Sequence, residues 1–283
     1  MQEEPPSSPK TGLSGGCPIK TGVGEDRPSR TSLPPLVSIV TPAFNAARFI
    51  AVTIASARAQ SFADWEMVIV DDASHDTTRD IIERLQADEP RLRLICNDRN
   101  LGVAASRNVA LDAARGRWIA FLDSDDLWLP DKLAAQLAFA AEHDAAFVFG
   151  SYRRITEDGC RIGRLIRVPG TLTYPELLKN TCVATLTVLV DRHSVGPLRF
   201  PDLKRGNDFA LWLRLLERVG RAHGLDRDLG RYRVVRQSLS SRKLRSADWV
   251  WRVYRETAGL SGPAAAWCFA NYAARACAKR WAF

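Results

Sequence analysis

Three carboxylates crowd into four positions, Asp123-Ser124-Asp125-Asp126. They follow a short apolar run, Trp118 to Leu122, that reads as a buried strand ending in charge. Negative charge concentrated at a strand's end costs stability unless a cation neutralises it. Hard oxygen ligands suit Mg2+ or Mn2+, and such ions commonly join carboxylates to substrate phosphates. The spacing Asp123-x-Asp125 therefore points to a metal–diphosphate site. A solvated acidic turn capping a helix from Pro130 is the alternative, because acidic side chains also favour helix N-termini.

The elements that would carry these residues alternate along the chain. Strands are predicted at 36–40, 65–70, 92–96, 118–122 and 146–149 from short apolar runs. Helices are predicted at 46–60, capped by Asn45, and at 77–87, 104–114 and 130–143. Strands alternating with helices at this spacing imply a largely parallel sheet covered on both faces. Ligands of such sheets bind beyond the strands' carboxyl ends. Polar clusters lie at those ends: Thr41-Pro42, Asp71-Asp72, the stretch from Asn97 to Gly102, and the Asp123–Asp126 cluster. No G-x-G-x-x-G follows the first strand, so a dinucleotide site is not indicated. Beyond residue 150 the pattern loosens. A strand is predicted at 186–190, a helix at 209–219, a short basic strand or loop at 230–235, and helix over 246–281 with a break at 259–263.

The totals exclude several classes. The 283 residues are 46% hydrophobic and 25% charged, ordinary for a globular protein. No apolar run is long enough to span a bilayer, which takes roughly 20 residues. The start, MQEEPPSSPK, lacks the apolar core of a secretory signal. Six scattered cysteines form no C-x-x-C pair, so neither structural zinc nor a disulfide framework is expected, and a cytoplasmic location fits. Residues 1–35, rich in Pro, Ser, Gly and Thr, are expected to be disordered. The net charge of +8 is uneven: residues 227–283 hold 12 Lys/Arg against 3 Asp/Glu. With no nucleic-acid motif present, a membrane surface is preferred to nucleic acid as partner of this basic tail, and a plain solvated face is an equal alternative. Its Trp249, Val253, Trp267, Tyr272 and Trp281 either pack onto the main domain or make an interfacial lipid contact.

Four motifs in order carry a resemblance: P-A-F-N at 42–45, V-D-D-A-S at 70–74, N-L-G-V-A-A-S-R-N at 100–108 and F-L-D-S-D-D at 121–126. Together they resemble the family 2 glycosyltransferases, inverting enzymes of the GT-A fold, over about residues 36–240. The stretches N-D-F-A-L-W-L-R-L-L (207–216) and Y-R-V-V-R-Q-S-L-S (232–240) resemble bacterial members that build envelope polysaccharides of the teichuronic-acid or exopolysaccharide type. The resemblance implies a Rossmann-like, mostly parallel α/β sheet with helices on both faces and a helical C-terminal tail. It implies a nucleotide-sugar half at 36–150, an acceptor half at 151–240, and a basic amphipathic tail at 241–283.

It also assigns roles. Asp72 would bond the nucleotide base, and Pro42 would line the base pocket with its backbone. Arg107 would lie near the nucleotide. Asp123 would sit near the ribose or the metal, and Asp125 would bind the Mn2+ or Mg2+ that holds the donor diphosphate. Asp208 matches the acceptor-side catalytic base, whose usual Glu neighbour is here Asn207. The donor would be a nucleotide-diphospho-sugar, a UDP-sugar first, and the acceptor a glycan or lipid-linked glycan. The enzyme would sit in the cytoplasm, with peripheral contact to the membrane's inner face.

The chemistry is coherent on its own terms. A glycosyl diphosphate needs its leaving group neutralised, and an acceptor hydroxyl needs a carboxylate to take its proton. Asp208 also reads as a helix N-cap. Arg231, Arg233 and Arg236 suit a diphosphate, a lipid-linked phosphate or a solvated strand edge. Two rival functions stay open: a nucleotidyltransferase, and a non-catalytic sugar-nucleotide-binding scaffold.

Overall fold

In the computed structural model, which describes residues 34–235 and 246–280, the apolar runs become strands of one sheet. β1 (Val37–Ala43), β2 (Trp65–Asp71), β3 (Leu92–Cys96) and β4 (Trp118–Phe121) pair in parallel, in the order β3-β2-β1-β4. They alternate with α1 (Ile50–Arg58), α2 (Thr78–Asp88) and α3 (Val103–Ala113). β1 and β2 are buried along their whole length, as parallel strands covered on both faces must be. Val40, Val68, Val70 and Phe121 face α3. Ile39, Met67, Ile69 and Ala120 face α1 and α2. This alternation gives the two faces of every strand end a different neighbour.

The second half continues the same sheet. In chain order come β5 (Leu127–Trp128), α4 (Lys132–Glu142), β6 (Phe147–Thr156), β7 (Ile162–Ile166), β8 (Thr171–Thr173) and α5 (Tyr174–Leu178). A 3-10 turn (Thr185–Thr187), β9 (Leu189–Asp191), α6 (Arg192–Val195), α7 (Asn207–Val219) and β10 (Arg221–Val234) follow. β9 runs antiparallel between β4 and β6, and β6 pairs in parallel with β10. α7 turns Leu211, Leu215 and Leu216 into the core shared with α3.

The tail is α8 (Ser246–Arg252), a π-helical turn (Val253–Thr257) and α9 (Gly262–Arg280). Val250, Val253, Tyr254, Ala265 and Cys268 are buried in the α7 core, and Trp249 and Tyr272 pack against it. Trp267 is 66% exposed and Trp251 39%. Trp281 lies outside the described residues, as does all but the end of the segment expected to be disordered at the N-terminus. Among the described residues no helix is long and apolar enough to cross a membrane.

Three expectations change. α1 starts at Ile50, and Asn45 does not cap it: Asn45 is left-handed (φ 49), and its Oδ1 accepts from the His75 N–H at 2.8 Å. It stitches the β1–α1 loop to the β2–α2 turn instead. The strand expected at 186–190 is split, because the Thr187 N–H and hydroxyl both turn back onto the Ala184 carbonyl, at 2.9 and 2.8 Å. The basic stretch from Gly230 is no edge: it ends the 14-residue β10, which pairs with β5, β6 and β8.

Glu66 on β2 ties the opposite end of the sheet together. It is 2% exposed and accepts from Ser38 Oγ (2.7 Å), Arg115 N (2.7 Å), Arg115 Nε (2.9 Å) and Arg93 Nη1 (2.9 Å). Burial opposes its charge, but these donors together hold the carboxyl below its ordinary value of 4.5. A depressed carboxyl stabilises the fold above its unfolded pKa, and that contribution disappears as pH falls through the folded value. Glu66→Gln should lose about 2 kcal/mol in urea unfolding near pH 7, and the gap to wild type should narrow as pH falls below the ordinary carboxyl value of 4.5.

Candidate active site

The acidic turn is held from two sides. Thr53 Oγ1 of α1 reaches the carbonyls of Ser124 (3.0 Å) and Asp126 (2.9 Å). From β10, the Arg233 N–H donates to Asp126 Oδ1 at 2.8 Å, and its Nε to the Asp125 carbonyl at 2.7 Å. The Arg233 guanidinium stacks over Phe49, 4.8 Å from the ring centre. β5 follows directly, so the turn does not cap α4, whose N-cap is Asp131. Arg231 is turned aside onto Asp228 Oδ1 at 2.6 Å, and Arg236 lies outside the described residues.

Arg107 joins this turn to α7. It is 5% exposed, donates from Nη2 to Asp123 Oδ1 at 2.6 Å, and from Nη1 to Asn207 Oδ1 at 3.2 Å. Burial alone would lower its pKa; the Asp123 carboxylate, with Asp208 and Asp126 behind it, holds it up. Its Nε is buried without a partner among the described residues. Asn207, where a second acid was expected by resemblance, thus serves as an acceptor for Arg107 and also donates to the Leu203 carbonyl at 3.3 Å. Asp208 follows in the first turn of α7. The N-cap is the left-handed Gly206, so Asp208 is not the cap; its Oδ1 accepts from the Phe209 N–H at 2.8 Å. Its Oδ2 accepts from Thr185 Oγ1 at 3.3 Å. Both oxygens keep free lone pairs, and the helix N-terminus favours their charge.

The turn carries more negative charge than it can comfortably hold. Burial, and next the Asp123 charge, push the Asp125 carboxyl up to about 6, against the pull of Arg233 and Arg107. Burial and both neighbouring carboxylates push Asp126 well above its ordinary value. A divalent cation on Asp125 would reverse this, so the donor set fits Mg2+ or Mn2+. Among the described residues no cluster of three or more His, Cys, Asp or Glu side chains could hold a metal by itself. Two carboxylates with substrate phosphates are the usual arrangement for such an ion.

Pro42 and Asp72 lie at the neighbouring strand ends. Pro42, buried in β1, pairs with Val70. Asp72 is 3% exposed and organises the loop before α3: Oδ1 accepts from Asn97 Nδ2 (2.7 Å) and Leu101 N (2.8 Å), Oδ2 from Gly102 N (2.8 Å). Cys96, Asn97, Asp98, Arg99 and Leu101 of this stretch line an open cleft of about 530 Å3. Asp71 points to the opposite face, pairs in register with Cys96, and leaves its buried Oδ1 unpartnered among the described residues. The contact of Thr185 and the facing of Asp71 were not read from sequence, and Arg233, read there as suiting a phosphate or a strand edge, holds the backbone of the acidic turn. A D-D pair does not say which carboxylate turns to which face, although the alternation of β2 could have suggested it.

Residues 38–196 match the family described as Glycosyl transferase family 2. The chain belongs to that family. It is 43% identical over 250 residues, 88% of this chain and 99% of the relative, to the teichuronic acid biosynthesis glycosyltransferase TuaG of Bacillus subtilis (strain 168). It is 36% identical, over 77% of this chain and 85% of the relative, to the Escherichia coli UDP-Glc:alpha-D-GlcNAc-diphosphoundecaprenol beta-1,3-glucosyltransferase WfgD. S. aureus TarS 1-349 in complex with UDP-GlcNAc superposes with a TM-score of 0.68 over 83% of this chain and 71% of that 1-349 fragment, at 22% identity. The mannosyltransferase PcManGT from Pyrobaculum calidifontis, in complex with GDP-Man and Mn2+, gives 0.62 over 88% and 76%, at 19% identity. The fold is thus that of the GT-A enzymes, and the chain is a family 2 glycosyltransferase with relatives that build envelope polysaccharides.

Asp72→Ala removes the acceptor of three loop bonds. Amide exchange at Leu101 and Gly102 should accelerate at least tenfold, roughly the loss of one hydrogen bond or more, while β1 and β2 stay protected. Unchanged exchange at both amides would contradict the anchoring role of Asp72.

Proposed function

We propose that this glycosyltransferase moves a hexosyl group from a UDP-hexose to a hydroxyl of a lipid-diphosphate-linked glycan, with inversion. The observation that carries the reading is the shared guanidinium: Arg107 bonds Asp123 on the donor side and Asn207, next to Asp208, on the acceptor side. A donor-side carboxylate and a second carboxylate on a separate element thus lie on either side of one side chain. The relative WfgD is named for UDP-Glc and a diphosphoundecaprenol-linked sugar, and TarS is seen with UDP-GlcNAc.

Asp125, with Asp123 beside it, would hold Mn2+ or Mg2+. Such an ion, as in PcManGT with GDP-Man, would neutralise the departing diphosphate. Arg107 and Arg233 flank the turn and offset the charge of its carboxylates. Asp72 has one lone-pair site left after its three loop bonds, enough for the imide N–H of uracil. Pro42 and the loop from Asn97 to Gly102 shape the base pocket. Asp208 accepts the proton of the acceptor hydroxyl as its oxygen attacks the anomeric carbon from the face opposite the diphosphate. Trp251 and Trp267, exposed on α8 and α9, and the basic residues Arg252 and Arg255 give the tail a peripheral contact with the inner face of the membrane, where the lipid-linked acceptor is held.

Ligand that binds only the native state raises the melting midpoint. UDP should do so where GDP, CDP and dTDP do not, and the rise should need both Mn2+ and Asp125, vanishing in Asp125→Ala. No shift with any nucleotide would move weight to a scaffold. With UDP-glucose and a GlcNAc-diphospholipid, Asp208→Asn should lower kcat by about a thousandfold at unchanged donor affinity. NMR of the product should show the inverted anomer; a retained anomer would contradict the mechanism.

A further inference from the structure

The 3-10 turn Thr185–Thr187 is fixed far more tightly than its length requires. Thr185 is 8% exposed, Leu186 1% and Thr187 fully buried. Four consecutive carbonyls of this stretch each have a donor. Ala184 O accepts from the Thr187 N–H and hydroxyl, and Thr185 O from the Val188 N–H at 3.1 Å. Leu186 O accepts from the Trp128 indole N–H at 2.8 Å, and Thr187 O from Gln136 Nε2 at 2.7 Å. The last two donors come from β5 and α4. Lys132, beside Gln136 on α4, is fully buried; its Nζ lies 3.9 Å from the centre of the Trp128 ring and 3.4 Å from the Val188 carbonyl. β10 closes the other side: a Cβ at Gly230 would stand 2.8 Å from Leu186 Cδ1 and 2.8 Å from the Leu127 carbonyl. The turn therefore has no room to rotate.

One side chain of this turn reaches α7. Thr185 Oγ1 donates to Asp208 Oδ2 at 3.3 Å, while the Phe209 N–H holds Oδ1 at 2.8 Å. One donor on each oxygen fixes the plane of the carboxylate. An aspartate in a helix's first turn otherwise rotates about two side-chain bonds, and a general base misplaced by about 1 Å can cost a hundredfold in rate. We propose that Thr185 is a positioning residue for Asp208, and that Trp128 and Gln136 hold it in place through the carbonyls of residues 186 and 187. The proposal rests on the reading of Asp208 as the acceptor's base.

Thr185→Val keeps the shape and removes the hydroxyl; Thr185→Ser restores it. Crystal structures of both variants should show the Asp208 carboxylate displaced in Thr185→Val and in its original orientation in Thr185→Ser. In the UDP-glucose and GlcNAc-diphospholipid assay, Thr185→Val should lower kcat about tenfold, the value of one hydrogen bond, with donor KM within about twofold of wild type. Thr185→Ser should recover most of the rate. An Asp208 carboxylate that keeps its place in Thr185→Val overturns the proposal whatever the rates. So does a serine variant as slow as the valine one. Full transfer by Asp208→Asn would instead sink the base assignment, a separate failure that leaves the positional contact measurable in the crystals.

Discussion

A buried guanidinium held between the end of β4 and the start of α7 is the constraint on which this site depends. Arg107 rises from α3 and is almost wholly removed from water. A charge so placed is tolerated only if it is paired and hydrogen-bonded. Asp123 supplies the pair and Asn207 supplies a neutral acceptor. The end of β4 and the start of α7 are therefore not free to drift apart without stranding that charge. Asn207 accepts from Arg107 without charge, so Asp123 is the one carboxylate bonded to this guanidinium among the described residues.

The rest of the site follows from the need to hold carboxylates close together. Thr53 and Arg233 grip the backbone of the acidic turn through carbonyls of Ser124, Asp125 and Asp126. Gripping the backbone leaves the Asp125 side chain outside those bonds, and burial and the Asp123 charge push its carboxyl up to about 6. Asp126, tied to β10 through the Arg233 N–H, behaves as a structural post. A site built this way is strained in charge rather than in backbone, and a divalent ion brought with a diphosphate would relieve it.

Much of this was legible in sequence because the alternation of apolar runs and amphipathic intervals is strong between residues 36 and 150. β3 fell where the pattern put it, at Leu92–Cys96, and the polar clusters did converge on the carboxyl ends of the strands. What escaped was set by contacts distant in sequence. Asn45 looks like a cap, but its partner is the His75 N–H thirty residues away, which only the pairing of β1 with β2 brings near. β10 reads as a short basic loop because Arg227, Arg231 and Arg233 interrupt it. Asp131, Asp228 and the carbonyl of Asp125 are what allow those arginines inside or beside a sheet. Thr185 carries no motif at all; its hydroxyl matters only because α4 and β10 immobilise the turn beneath it.

The most direct test of the account is a double-mutant cycle in urea unfolding between Arg107→Met and Asp123→Asn. If the pair holds the end of β4 against α3, Asp123→Asn leaves the buried Arg107 guanidinium without its carboxylate, and the double variant recovers part of the loss. The coupling should then reach about 2 kcal/mol or more. Additivity within about 0.5 kcal/mol would show that the two side chains merely lie near one another, and would contradict the account.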